Sequence, residues 1–237
     1  MDHPRGIDGN EDRMKVDLDR ACAGTYFLDH DSPEVREFVR RALPSDAVTP
    51  TDRAVRLYYA VRDGVLYDIY GADLSRRGLR ASSIAARGRG FCIHKSILYA
   101  AAVRSIGIPS VLVLTDVRNH LASERLKRLV GGDTFHFHCL TAIYLNGKWI
   151  KATPVFNKQL CRLYRIAPLE FDGVTDSIHH PYDEHGRRSM EFVRMHGEFL
   201  DFPYKMVIDG LSDVSPQLFR GATTVVTGSL AAEALAS

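Results

Sequence analysis

Residues 88–102 decide the fold of this chain, and they read Gly88-Arg89-Gly90-Phe91-Cys92-Ile93-His94-Lys95-Ser96-Ile97-Leu98-Tyr99-Ala100-Ala101-Ala102. A glycine-rich turn here leads into a run typical of a helix, and a cysteine stands at the junction. The first amides of a helix lack backbone partners, and the helix dipole is positive at that end. A thiolate is therefore favoured at Cys92, so we expect a lowered pKa and a nucleophilic cysteine.

The stretch from residue 134 to residue 153 predicts a β-hairpin. Alternating residues flank the dipeptide Asn146-Gly147, which favours a two-residue turn and places Leu145 opposite Lys148. Alternation along the strands predicts one face with His136, His138, Leu140, Thr153, Val155 and Asn157, and another with Cys139, Thr141, Ile143, Ile150 and Ala152. His138 thereby becomes a candidate base held on a rigid sheet.

These features resemble the transglutaminase-like superfamily, in its bacterial stand-alone type. The features that carry the resemblance are Gly90-Phe91-Cys92 before a helix, Gly107-Ile108-Pro109 before a strand, and His138 six residues before Tyr144 and a Gly-Lys-Trp hairpin. The resemblance implies an α+β fold with a papain-like core, in which the nucleophile-bearing helix packs on an antiparallel sheet between N-terminal helices and a C-terminal extension. It also implies that Cys92 is the nucleophile and His138 the general base and acid.

The third catalytic position departs from the pattern of this family. The family has an aspartate four residues after the hairpin tryptophan and just before a proline, whereas this chain has Thr153 before Pro154. A carboxylate would stabilise an imidazolium, but a threonine can only orient the ring. Two alternatives stay open: Asn157 could orient the imidazole as an asparagine does in papain-like enzymes, or a distant acid such as Asp116 or Asp172 could do so.

The chain is expected to consist of one core with an addition at each end. The parts are a flexible N-terminal lead-in at 1–17, a transglutaminase-like catalytic core at 18–160 and a C-terminal extension packed on the core at 161–237. An N-cap followed by a proline predicts a helix opening at residues 31–34, and the spacing of apolar residues predicts a second helix that begins near Thr51. Tyr67 could line a substrate groove, and residues 117–133 are long enough to form a lid or groove wall.

Composition narrows the class of protein. The 237 residues carry a formal net charge of +2 with scattered basic residues, which gives no nucleic-acid footprint. Four cysteines stand far apart, so we expect reduced thiols rather than a disulfide framework or a zinc motif. No apolar run approaches the roughly 20 residues of a membrane span, and the first residues lack an apolar signal core. We expect a cytoplasmic protein with no membrane partner.

The leading functional hypothesis is cysteine-dependent acyl transfer from a peptide, amide or thioester substrate, without a cofactor. Water as acceptor would make the protein a peptidase or amidase, and an amine acceptor would make it a transglutaminase or amide synthase. A catalytically impaired binding module is the alternative, because Thr153 replaces the acid. The oligomeric state and the choice of acceptor stay open.

Other histidines are weighed against His138. His94 follows Cys92 by two helical positions and so falls on another face, which argues against it as the base. His136 and His138 together could ligate a metal in a hydrolase. The further ligands would have to come from the loop with His179, His180, Asp183 and His185. Histidines beside Pro181 are more typical of surface turns.

Overall fold

The computed structural model describes residues 17–43, 46, 49–120, 122–178 and 190–220. Its helices are α1 (Leu18–Cys22), α2 (Pro33–Ala42), α3 (Pro50–Gly64), α4 (Ala81–Arg87), α5 (Cys92–Arg104), α6 (Glu124–Val130), α7 (Lys158–Leu163), α8 (Tyr204–Val214) and α9 (Gln217–Arg220). Its strands are β1 (Leu66–Tyr67), β2 (Arg89–Gly90), β3 (Ser110–Asn119), β4 (Thr134–Leu145), β5 (Lys148–Ala152) and β6 (Met190–Phe199). Of the predicted lead-in at 1–17, only Asp17 is described, and it caps α1. Within the described ranges, no helix combines the length and the apolar character that a membrane crossing requires.

Capping residues set the starts of the two helices α2 and α3, and the cap of α2 was predicted from the sequence. The Ser32 side chain accepts a hydrogen bond from the Val35 amide at the start of α2. At α3, Thr49 and Asp52 form a reciprocal capping box around a proline in the first turn. Such caps satisfy amides that have no partner inside the helix, which is why local sequence predicts them well.

Helix α5 runs through the centre of the molecule, and all of its residues are buried. It contacts β3 and β4 on the sheet side, and the other helices that it contacts are α2, α3 and α4. A helix enclosed on all sides needs no polar stripe. Its polar residues are themselves buried and hydrogen-bonded, and they are His94, Lys95, Ser96 and Arg104. The predicted packing of the cysteine-bearing helix on an antiparallel sheet is confirmed.

The main sheet has the strand order β5-β4-β3-β6, and every neighbouring pair is antiparallel. The predicted hairpin register is confirmed, because Leu145 pairs with Lys148 and Thr141 with Ala152. Strand β6 comes from the C-terminal extension and pairs with β3 across the edge of the core sheet. The extension is therefore part of the sheet itself, which the sequence had not indicated.

A β-bulge interrupts strand β4 just before His138. Thr115 pairs with His138 and Val117 with Phe135, so Asp116 alone lies opposite two residues of β4. One of these, Phe137, has a φ of 55°, a backbone conformation that residues other than glycine seldom adopt. The extra residue breaks the period-two alternation at this point. Side chains on the two sides of the bulge therefore do not share the faces that strict alternation along β4 predicts.

Candidate active site

Cys92 is the first residue of α5, and Phe91 separates it from the short strand β2. Its sulfur accepts hydrogen bonds from the backbone amides of Cys139, Ile93 and Cys92 itself. Cys139 is the neighbour of His138 in β4, so the sulfur lies against the strand that carries the candidate base. The amides at the start of the helix and one strand amide thus converge on the thiol.

The pKa of Cys92 differs from what its position at a helix start predicts. Burial raises the pKa of this thiol to about 11, although the three backbone hydrogen bonds act in the opposite direction. Only 6% of the residue is exposed, and the loss of hydration of a thiolate outweighs the favourable dipoles. The expected lowering of this pKa is therefore wrong, and the resting sulfur is a neutral thiol at neutral pH.

Gly90 permits the close approach of the loop to α5. A β-carbon at this position would lie 2.5 Å from Cβ of His94, which is too close for any side chain. The His94 ring is fully buried, and its Nε2 lies 3.1 Å from the backbone oxygen of Asp73. Burial lowers the pKa of His94 to about 4, so it is a neutral core residue.

His138 is buried at the end of the bulge, and its side chain lines a cavity. The lining residues, which we call the His138 cavity, are Tyr67, Val117, Asn119, Ala122, Leu126, Phe135, His138, Val155, Phe156, Leu160, Tyr164, Ile166 and Met190. Phe135 and His138 are three residues apart, and the bulge explains why both reach the same cavity. Leu126 and Ala122 come from the segment that the sequence predicted as a groove wall.

Tyr67 connects the His138 cavity to Cys92. Strand β1 pairs Tyr67 with Gly90, two residues before the cysteine. Burial raises the pKa of the Tyr67 phenol well above its usual range, and the negative charge of an ionised Cys92 raises it further. The Tyr67 ring packs edge-on against Phe156, another lining residue, and their ring centroids are 4.9 Å apart. Tyr67 therefore lies both near Cys92 and in the wall of the cavity.

The structure does not keep the predicted partners of His138 on one face. Strand β5 ends at Ala152, so the chain has left the ladder before Val155 and Asn157. The hydroxyl of buried Thr153 donates to the backbone oxygen of Ile178 over 3.4 Å. The prediction of a continued ladder is therefore wrong, although Val155 still meets His138 in the cavity.

Asn157 forms hydrogen bonds with backbone groups of α3, β1 and the residue between them. Its amide nitrogen donates to the carbonyl oxygens of Arg62 and, at 2.9 Å, Val65, and its oxygen accepts the Tyr67 amide at 2.8 Å. The buried Lys95 ammonium donates to the same two carbonyls, at 2.8 and 2.6 Å. Asn157 thus holds the end of α3 and strand β1 in place, which sequence reasoning missed because these partners are distant in the chain.

The two distant acids are also engaged elsewhere. Asp172 accepts the amides of Val174 and Thr175 at 2.7 and 2.8 Å and so forms a turn. Asp116 accepts the Phe137 amide at 3.1 Å and binds the His196 ring, with Nε2 2.6 Å from Oδ1.

His136 lies beside Asp116 and not beside His138. Its Nδ1 is 3.3 Å from Oδ2 of Asp116, on the other side of the bulge. The predicted shared face of His136 and His138 is therefore wrong, because the extra residue in β4 shifts the alternation. Over the described ranges, no group of three or more metal-ligating side chains comes together. The loop with His179, His180, Asp183 and His185 lies outside the described residues.

The four cysteines are free thiols in the structure. Cys139 is fully buried in the cluster between sheet and α5, together with Ile143 and Ala152, whereas Leu140 lies in a second cluster on the opposite face. The predicted sorting of this part of β4 is confirmed. Burial raises the pKa of Cys139 well above its usual range, so this thiol is inert.

Known proteins resemble this chain over part of its length. No curated protein matches the sequence. Among solved structures, a protein from Cytophaga hutchinsonii that was proposed to be a cysteine protease aligns with a TM-score of 0.45 and 15% identity, over 60% of this chain and 43% of its own. The chain thus spans less than half of that protein. The sequence profile of the Transglutaminase-like superfamily matches residues 39–154, which include Cys92, His138 and Thr153. Over this stretch of just under half its length, the chain is similar to the Transglutaminase-like superfamily.

Proposed function

We propose that this protein is a cysteine-dependent acyl-transfer enzyme in which Cys92 is the nucleophile and His138 the general base and acid. One observation supports this most directly. The Cys92 sulfur accepts the amide of Cys139, so it lies one residue along β4 from His138, whose side chain lines an apolar cavity. A helix start, a strand and a cavity therefore meet at the candidate pair.

Because the pKa of Cys92 is raised, attack by this thiol needs a base, and His138 is the candidate. A thiol with a pKa of about 11 is almost wholly protonated at neutral pH, so it needs a base during attack. His138 takes the thiol proton as the sulfur bonds to the substrate carbonyl carbon. The same proton then passes from His138 to the leaving amine or thiol, and an acyl-Cys92 thioester is left. Amides at the start of α5 are placed to stabilise the developing oxyanion.

The acceptor decides the second step. Water activated by His138 would release an acid, as in a peptidase or amidase. An amine would form a new amide, as in a transglutaminase or amide synthase. Thr153 occupies the third place of the family pattern and carries no charge that could stabilise an imidazolium. The resting Cys92 is accordingly a neutral thiol, because its pKa is raised to about 11.

A second candidate function is a binding module that has lost its chemistry. Two observations favour it: Thr153 stands in place of an acid, and burial raises the pKa of Cys92. Such a module would keep the cavity but would not form an acyl-enzyme.

The pH dependence of Cys92 alkylation separates the two functions. Iodoacetamide labelling of each cysteine is followed by peptide mass spectrometry from pH 5 to 11, on the natural protein and on His138→Ala. For an enzyme, we expect a neutral-pH limb in the labelling of Cys92, because His138 assists proton removal. His138→Ala should lose this neutral limb and keep only the rise toward high pH.

Two internal controls accompany this measurement. Cys139, buried behind the same strand, should stay unlabelled in the folded protein. Cys92→Ala should remove the neutral-pH labelling and all turnover while the circular dichroism spectrum is unchanged. Labelling of Cys92 that rises only at high pH and is equal in both proteins would support the binding module and refute the enzyme.

A further inference from the structure

The His138 cavity is apolar over most of its wall. Of its described lining residues, Asn119 and His138 are polar, Tyr67 and Tyr164 each combine an aromatic ring with a hydroxyl, and the others are apolar. Leu126 in α6 and Leu160 in α7 are both more than nine-tenths buried. Among the described lining residues there is no carboxylate, ammonium or guanidinium group.

This composition discriminates between possible occupants. An aliphatic or aromatic group that enters the cavity leaves water and contacts the side chains of the wall, which is favourable in proportion to the area removed from water. A charged group would lose its hydration and find no opposite charge on the described wall. The cavity therefore favours uncharged apolar groups.

The cavity lies beside the candidate base. His138 is part of its wall, and strand β1 pairs the lining residue Tyr67 with Gly90, two residues before Cys92. The acyl part of a substrate stays on Cys92 after the leaving group departs. It is therefore the part of the substrate that a cavity beside His138 could hold through both steps.

We propose that the His138 cavity binds the acyl part of the substrate and selects an uncharged aliphatic or aromatic group. This proposal rests on the proposed function, because it assigns a substrate class to the same site. The step it concerns is transfer of an acyl group from a donor thioester to Cys92. The S–H bond of Cys92 and the donor C–S bond break, a new C–S bond forms at Cys92, and the proton leaves with the released thiol.

A series of acyl donors tests this selection. The donors are N-acetylcysteamine thioesters with acetyl, butyryl, hexanoyl, phenylacetyl and succinyl groups, so the leaving thiol is always the same. Acylation of Cys92 is timed by intact-protein mass spectrometry, with Cys92→Ala as the blank. We expect the rate constant to rise by roughly fourfold per methylene until the cavity is filled. Succinyl transfer should be slower than butyryl transfer by about tenfold or more.

Two matched variants separate the cavity from general effects on the fold. Leu126 and Leu129 both lie in α6 and each is 6% exposed, but Leu129 lines a separate depression with Tyr70 and Arg128. Leu126→Ala should change the ratio of hexanoyl to acetyl rate constants by about threefold or more, because it alters the wall. Leu129→Ala should leave this ratio unchanged at a similar loss of stability.

The outcomes distinguish this proposal from the proposed function. Equal rate constants for all donors, or a preference for succinyl, would overturn the acyl selection while leaving Cys92 as a nucleophile. An equal change of the ratio in both leucine variants would also overturn it. Failure of every donor to acylate Cys92, with labelling independent of His138, would overturn the proposed function and this inference together.

Discussion

Replacing Asp116 by alanine should destabilise the fold strongly, because this carboxylate holds the bulge that positions His138. One oxygen of Asp116 accepts the Phe137 amide at 3.1 Å and the His196 ring at 2.6 Å, and only 5% of the residue is exposed. A hydrogen bond to a charged group contributes about 1.5–3 kcal/mol, and removing one partner of a buried pair costs about 3–5 kcal/mol. We expect a loss of about 3–5 kcal/mol for Asp116→Ala. Asp116→Asn keeps an oxygen acceptor for one donor and should lose about 1.5–3 kcal/mol.

Urea unfolding at pH 7, with the slope compared between variants, measures this loss. The matched control is Asp133→Asn, since Asp133 is half-exposed and pairs with Arg118 at 3.4 Å. Surface pairs of this kind contribute about 0–1 kcal/mol. A loss for Asp116→Ala no larger than that of Asp133→Asn would refute the argument that the carboxylate supports the bulge.

The acid side of the stability curve gives an independent check on Asp116. Burial raises the pKa of this carboxyl, but the hydrogen bonds from His196 and Phe137 outweigh burial, so the pKa in the folded protein is lowered. A group with a depressed folded pKa contributes stability that is complete above its unfolded pKa of about 3.9 and is lost as the pH falls through the folded value. Asp116→Asn should therefore flatten the pH dependence of stability in that acidic window.

Two further substitutions test the surroundings of Cys92. Thr153→Asp should increase neutral-pH alkylation of Cys92, because a carboxylate in the third place of the family pattern stabilises an imidazolium. Unchanged alkylation would remove position 153 from the catalytic machinery. Gly90→Ala should cost about 1–3 kcal/mol through its overlap with His94. Gly88→Ala is the control, because its β-carbon would meet open space and only its φ of 66° is unfavourable. Equal shifts of the melting temperature would argue against the His94 contact.

Helix starts and the hairpin turn could be predicted from the sequence, because neighbouring residues determine them. Cys92 lies at the start of α5, as the glycine-rich turn before it and the helical run after it predict. The register of the β4–β5 hairpin follows from Asn146-Gly147, whose positive φ angles of 51° and 83° suit a two-residue turn. The cap of α2 is likewise read from adjacent residues.

The surroundings of those elements depend on contacts between distant segments, and only the tertiary structure shows these contacts. The bulge before His138 depends on Asp116 and His196, which come from two other strands, so alternation along β4 could not reveal it. The pKa of Cys92 rises because the surrounding core excludes water, and local dipoles are too weak to offset that loss. The addition of β6 to the sheet and the apolar wall around His138 also require contacts between distant segments. Periodicity and capping report on neighbours in the chain, whereas burial and bulge geometry arise from the packing of the whole fold.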